Sequence, residues 1–227
     1  MTESNSNNIS TKQLSRGVSS IVVSSAKGNY VDKRVVTKEY YNHFHFTDPE
    51  VFTSVIGITS PNAREGKTLV ASNLATVFAF GHQRNTVLID MNLHNPQLHE
   101  VFGTDPSPGL VESVQEGQIY LSRTKYDQLF LLPAGYAAGY ALDLHDMNFI
   151  RGILVSLSRE FDQIILDMNS VFPVRDFPLQ FANELSTLLL VIDARRTKFD
   201  DVEKVFRHIN QDRITGFIMN RVEENGY

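Results

Sequence analysis

From about Val51 onward, short aliphatic runs alternate with stretches whose apolar residues recur at helical spacing. The runs are Ser54–Thr59, Thr86–Asp90, Gln128–Leu132, Gln163–Asp167, Thr187–Asp193 and Ile214–Asn220. Each is strand-sized and almost continuously apolar, as expected of a strand covered on both faces. Between them, Val70, Leu74, Val77 and Phe78 fall at i, i+4, i+7 and i+8. Phe149/Ile150, Ile153/Leu154 and Leu157 make a second stripe, and Val202, Val205/Phe206 and Ile209 a third. Strands alternating with helices predict an α/β fold, a mainly parallel sheet with helices on both faces. Before Val51 the pattern is irregular. Met1 to Gly17 is rich in Ser, Asn and Thr, which predicts disorder. Val18–Ala26 reads as a short edge strand, and Thr37–Phe46 as a short aromatic helix carrying Tyr40, Tyr41 and Phe44. The chain thus divides into a disordered or loosely ordered tail (1–36), a short helix and connector (37–50) and one domain (51–227).

The first aliphatic run leads into chemistry. Val55-Ile-Gly-Ile-Thr-Ser-Pro-Asn-Ala-Arg-Glu-Gly-Lys-Thr68 reads as a buried strand, a tight loop and the start of a helix. That is the layout of a P-loop. Backbone N–H groups at the helix start cradle a polyphosphate, a lysine reaches the β/γ-phosphates, and a hydroxyl holds magnesium. Lys67 is the candidate lysine and Thr68 the candidate hydroxyl. The expected nucleotide contacts are Arg64, Glu65, Gly66, Lys67, Thr68 and Leu69, and the expected cofactors are ATP or ADP with Mg²⁺. Pro61 stands where G-x-x-x-x-G-K-[ST] has its first glycine.

Two aspartates extend the site. Asp90 ends one aliphatic run and Asp167 another. In an open parallel sheet, ligands bind at the carboxyl ends of the strands, so both carboxylates are expected to face the phosphate loop. Magnesium takes one or two carboxylates together with phosphate oxygens, which makes Thr68, Asp90 and Asp167 the candidate metal set. Lys67, Asp90 and Asp167 are the candidate catalytic residues.

Composition narrows the remaining classes. A chain of 227 residues, 42% hydrophobic, suffices for one α/β domain. A net charge of −5 gives no support for non-specific nucleic-acid binding. The chain has no cysteine, which excludes disulfides and thiolate metal sites. No apolar run reaches membrane-span length, and the N-terminus lacks a signal-peptide pattern. A cytoplasmic protein without direct membrane insertion is expected, with recruitment to the inner face of the cell membrane left open.

Three segments together carry a resemblance: Val55 to Thr59 with Glu65-Gly-Lys-Thr68; Val87-Leu-Ile-Asp90-Met-Asn92-Leu-His94-Asn-Pro96-Gln-Leu-His99; and Ile164-Ile-Leu-Asp167. In this order they resemble the Walker A, A′ and B motifs of the bacterial protein-tyrosine kinases of polysaccharide export, the BY-kinases. Pro108-Gly-Leu110, Leu132-Pro-Ala-Gly135 and Gly216-Phe-Ile-Met-Asn220 add to it. The resemblance spans Glu39 to Val222 and suits the family's free-standing cytoplasmic form. It implies an ATPase module partnered with the cytoplasmic segment of a membrane polysaccharide co-polymerase, a chain-length regulator of capsule or exopolysaccharide synthesis. It also implies self-association in a ring, phosphorylation of a neighbour's C-terminal tyrosines, and Asn220 near the adenine.

The chain departs from that family at points bearing on activity. Asn92 replaces the second aspartate of Walker A′ and His94 an arginine. An amide cannot accept a proton as a carboxylate does. Arg64 occupies a usual glycine position, at a cost of about 1–2 kcal/mol if φ is positive there. Asp167-Met-Asn-Ser170 replaces Asp-Thr/Ser-Pro-Pro; Glu39 is followed by Asn42 and His45 rather than arginines; and Tyr227 is the one tyrosine at the C-terminus. Two readings follow: an ATP-binding regulator with kinase activity weak or lost, or an active kinase acting on Tyr227, Tyr40, Tyr41 or another protein. Tyr136 and Tyr140, in an Ala/Gly-rich stretch expected to be a mobile loop, are further candidate acceptors. A partition or cell-division ATPase shares the fold but carries a signature lysine where this chain has Asn62. His43, His45, His94 and His99 lack converging ligands in the sequence and are read as ordinary surface or core residues.

Overall fold

The computed structural model describes residues 20–25, 28–32 and 55–223. Its strands are β1 (Ser20–Ser25), β2 (Gly28–Asp32), β3 (Val55–Thr59), β4 (Thr86–Met91), β5 (Gln118–Arg123), β6 (Leu129–Leu132), β7 (Gln163–Met168), β8 (Thr187–Asp193) and β9 (Ile214–Asn220). They form one sheet in the order β2-β1-β5-β6-β4-β7-β3-β8-β9. From β6 to β9 every neighbouring pair is parallel, whereas β5 runs antiparallel to β6. The helices are α1 (Lys67–Thr76, continued by a π-helical turn Val77–Gly81), α2 (Leu98–Phe102), α3 (Leu110–Glu116), α4 (Leu144–Ser158), α5 (Leu179–Ala182) and α6 (Phe199–Phe206).

The six strands expected from aliphatic runs are all present, each within one residue of its expected ends. Their continuous hydrophobicity follows from two covered faces. Ile58, Leu88, Leu131, Ile165 and Val191 pack on one side, against Ala71, Ala75 and Ala79 of α1 and its continuation. Val55, Val87, Ile89, Ile164 and Leu166 pack on the other, with Ile150, Ile153, Leu154 and Leu157 of α4. The stripe expected on α1 is shifted: its buried line is alanine, Val70, Leu74 and Phe78 flank it, and Val77 is exposed. Small side chains bring this helix close to the sheet, and with it the residues on its first turn. Gly57 makes a close approach on the opposite face, where a Cβ would come within 2.6 Å of Leu185 and 2.9 Å of Leu188.

The N-terminal part differs from expectation. The strand expected at Val18–Ala26 is β1, but it is not an edge: it lies between β5 and β2, and β2 closes the sheet. β5 escapes the aliphatic-run criterion because Gln118, Tyr120 and Ser122 interrupt it. The disorder expected for 1–17, the aromatic helix expected at Thr37–Phe46 with Glu39, Tyr40, Tyr41, His43, Phe44 and His45, and Tyr227 all lie outside the described residues.

Candidate nucleotide site

Three neighbouring strands, β4, β7 and β3, end side by side, and the site is built on those ends. Asp90 and Asp167 are register partners on β4 and β7, and Asp167 is the register partner of Ile58 on β3. The loop after β3 turns back into α1, whose first residue is Lys67. Two residues of that loop adopt positive φ, Arg64 at 66° and Gly66 at 96°. Gly66 tolerates this without strain, and a Cβ there would lie 2.1 Å from Asn220 Nδ2. Arg64 is strained, as its sequence position suggested. Arg64→Gly is expected to stabilise the protein by about 1 kcal/mol, the left-handed penalty less the entropy of a glycine; urea unfolding of both proteins would measure it.

A web of hydrogen bonds holds the loop. The Glu65 side chain turns inward, 3% exposed, accepting from Asn62 N–H at 3.0 Å and Thr197 Oγ1 at 2.6 Å. Asn220 Nδ2 donates to the Glu65 carbonyl at 2.9 Å, clamping the loop from the end of β9. Glu65 and Asn220, both expected as nucleotide contacts, therefore spend their side chains on shaping the loop. Neither lines the cleft beside it. That cleft, about 710 Å³, is lined by Arg64, Gly66, Lys67, Thr68 and Leu69 together with Asn92, His94, Asn169 and Arg221.

Below the cleft lie the two carboxylates, both fully buried. Asp167 Oδ2 accepts from the Thr68 hydroxyl at 2.7 Å. Asp90 accepts from the backbone N–H groups of Asn92 at 3.1 Å and of Gln97 and Leu98 at 3.2 Å. Burial pushes the Asp90 carboxyl up to about 7, the Asp167 charge adds to this, and the three N–H groups pull the other way. Burial likewise pushes Asp167 up to about 6, against the Thr68 hydrogen bond and the Lys67 charge. Two adjacent buried acids that resist joint ionisation form a place for a cation.

Asp167 Oδ1 is buried and has no hydrogen-bond partner among the described residues. An unpartnered carboxylate oxygen beside a threonine hydroxyl and a second carboxylate fits magnesium, which completes its shell with water and phosphate. No cluster of three acidic, histidine or cysteine residues is present among the described residues, so a metal here would depend on nucleotide oxygens.

The remaining candidates fall outside this centre. Asn92 is buried and its amide donates to the Asn95 carbonyl at 3.0 Å. His94 lies at the cleft wall, 3.8 Å from Asp176, and His99 lies 4.0 Å from Glu100. Tyr136 is exposed, whereas Tyr140 is partly buried and donates to Asp146 at 3.0 Å, its hydroxyl pushed up to about 12. Arg221, absent from the sequence expectations, lines the cleft and pairs with buried Asp193. Its position next to Asn220 was the signal available.

A parallel sheet with a lysine–threonine loop at the carboxyl end of β3 and acids on the neighbouring strands defines a P-loop NTPase fold. No known protein-family profile matches the chain. It is similar to the tyrosine-protein kinase Ptk of Acinetobacter johnsonii, 25% identical over 186 residues, covering 80% of this chain and 25% of the relative. It is also 28% identical over 182 residues to the succinoglycan biosynthesis transport protein ExoP of Rhizobium meliloti (strain 1021), covering 75% of this chain and 22% of that protein. Among solved structures, the VpsO kinase domain superposes with a TM-score of 0.65 at 29% identity, covering 74% of this chain and 85% of that one. These similarities all point to the bacterial protein-tyrosine kinases, or BY-kinases, as the proteins this chain resembles. It spans about a quarter of the length of the first two curated relatives. No helix among the described residues is long and apolar enough to cross a membrane.

Proposed function

We propose that the protein binds Mg-ATP or Mg-ADP in the cleft above Asp90 and Asp167 and regulates capsule or exopolysaccharide synthesis or export, with phosphoryl transfer weak or lost. Its partner is the cytoplasmic segment of a membrane polysaccharide co-polymerase, and it works in the cytoplasm or at the inner face of the membrane. The observation that carries the nucleotide reading is Thr68 bonded to Asp167 on a strained, clamped loop, with Lys67 beside it. Lys67 would meet the β/γ-phosphates, the first-turn N–H groups would receive phosphate oxygens, and Thr68, Asp90 and Asp167 would hold magnesium. When bound, magnesium neutralises charge on the transferred phosphoryl group.

Asn92 supports weakened transfer. Its amide donates to a backbone carbonyl, and it offers no carboxylate to take a proton from an acceptor hydroxyl. The alternative, an active protein-tyrosine kinase, needs that proton to go elsewhere. A positioning ATPase is disfavoured by Asn62, whose amide turns inward to Glu65 and Asp201 at 3.3 Å each.

The test joins Mg-ATP calorimetry with phosphate-release and phosphotyrosine assays on the wild type and Asn92→Asp. Micromolar binding with little turnover is expected, and a gain of about a hundredfold in turnover in Asn92→Asp, the usual scale of general-base help. Substantial wild-type turnover unchanged by Asn92→Asp would overturn the weakened-kinase reading. A folded wild type that binds no Mg-ATP would overturn the nucleotide reading.

A further inference from the structure

Asn169 belongs to neither the phosphate loop nor the buried carboxylate pair. It follows β7 directly, is 8% exposed, and lines the wall between the nucleotide cleft and a second cleft beside α4. Four contacts fix its place. Its carbonyl accepts from Thr59 Oγ1 at 2.6 Å, and the next residues pair with the P-loop, Val171 N–H to the Ser60 carbonyl at 2.8 Å and Phe172 N–H to the Pro61 carbonyl at 3.0 Å. Its Nδ2 donates to the Asp176 carbonyl at 2.9 Å.

This last bond fixes the orientation of the amide. A flipped side chain would set oxygen against a carbonyl oxygen, so Oδ1 must face away from Asp176. Oδ1 is buried and has no hydrogen-bond partner among the described residues. Asp167 Oδ1, two residues earlier, is in the same condition. Asn169 lines the nucleotide cleft one residue past β7, and Asp167 lies two residues before it near that strand's end, so two buried, unpartnered acceptors stand close together in the chain beside Thr68. A buried acceptor left unpaired is costly, and two together call for a donor that the described residues do not supply. A water carries two protons, and magnesium keeps several waters in its shell.

We propose that Asn169 is a positioning residue for the hydrated magnesium ion, its Oδ1 accepting a hydrogen bond from a metal-bound water that Asp167 also receives. This rests on the Mg-nucleotide reading above. It also supplies, from the residue just after β7, a polar contact to the metal's water shell in a site where the Walker A′ position is an amide turned to Asn95.

The experiment titrates Mg²⁺ into the full chain holding a fluorescent ADP analogue, for the wild type, Asn169→Ala and Asn169→Asp. Nucleotide affinity is first measured in EDTA, and the fold of each variant by circular dichroism. Expected is unchanged metal-free affinity in Asn169→Ala, with the half-saturating Mg²⁺ concentration raised about tenfold or more, as when an outer-shell partner is removed. Asn169→Asp keeps the acceptor and loses the donor to Asp176, so its Mg²⁺ requirement should stay within about twofold of the wild type or fall below it, on the strength of charged acceptors. If Asn169→Ala needs no more Mg²⁺ than the wild type, or Asn169→Asp is impaired equally, the proposal is overturned while the nucleotide reading stands. If the wild type shows no Mg²⁺-dependent binding, both fall.

Discussion

Lys67→Ala should weaken Mg-ATP and Mg-ADP binding by about a hundredfold or more in a calorimetric titration, while leaving the chain folded. The magnitude follows from removing one member of a buried charge pair, which costs about 2–5 kcal/mol. Lys67 is 7% exposed at the first turn of α1, so a phosphate there would meet a largely desolvated ammonium group. The free protein tolerates the loss for a specific reason. Asp167 is lowered by the Lys67 charge, so without it the carboxyl rises further and takes up a proton more readily, which relieves the cost of a buried anion. Binding at wild-type strength in Lys67→Ala would mean that nucleotide sits elsewhere on the molecule.

Asp167→Asn should have opposite effects on stability and on metal dependence. Burial holds the folded Asp90 and Asp167 carboxyls up at about 7 and about 6, against the ordinary 3.8 of an exposed aspartate. Between those limits the folded state binds more protons than the unfolded chain. This contribution to stability is therefore full below about pH 4 and is lost as pH rises toward 7. Asp167→Asn removes one of the two acids and can keep an acceptor for the Thr68 hydroxyl. At pH 8 and without magnesium, the variant should unfold several degrees above the wild type, given about 2–4 °C per kcal/mol for a domain of this size. At pH 5 the difference should shrink. Comparing variant with wild type cancels the histidines, which titrate in both. With magnesium and ADP present the order should reverse, because the wild type alone retains both carboxylates for the metal. Thermal unfolding at the two pH values, with and without Mg-ADP, measures all four cases; a wild type more stable than the variant at pH 8 without magnesium would contradict the strained-pair account.

The sheet was legible in the sequence because both of its faces are covered. Full coverage makes β3, β4, β7 and β8 almost uninterrupted aliphatic runs, and such runs are hard to mistake. β5 was not legible, since polar residues on its less buried side break the run. The helix after the P-loop was expected on the correct segment, but its buried line is alanine, a residue that periodicity weighed toward large apolar side chains does not find. In the site, Lys67, Thr68, Asp90 and Asp167 could be placed together because each ends or begins an element at the same edge of the sheet. What the sequence could not supply was the direction of short polar side chains. Glu65 and Asn220 both lie beside the phosphate loop in the chain's folded course, yet both turn their polar atoms to the backbone and to Thr197 rather than to the cleft. Asn169 and Arg221 contribute from loops, where no periodicity operates.

The Asn220–Glu65 hydrogen bond spans 155 residues of sequence, and this has a bearing on how the protein is made. A ribosome emits the phosphate loop well before the residue that clamps it. Until β9 pairs with β8 and brings Asn220 over Gly66, the strained turn at Arg64 lacks its outer support. Between those two moments the lysine–threonine motif exists without the loop held in its final shape. The shape proposed to receive nucleotide is thus tied to the docking of β9 on β8.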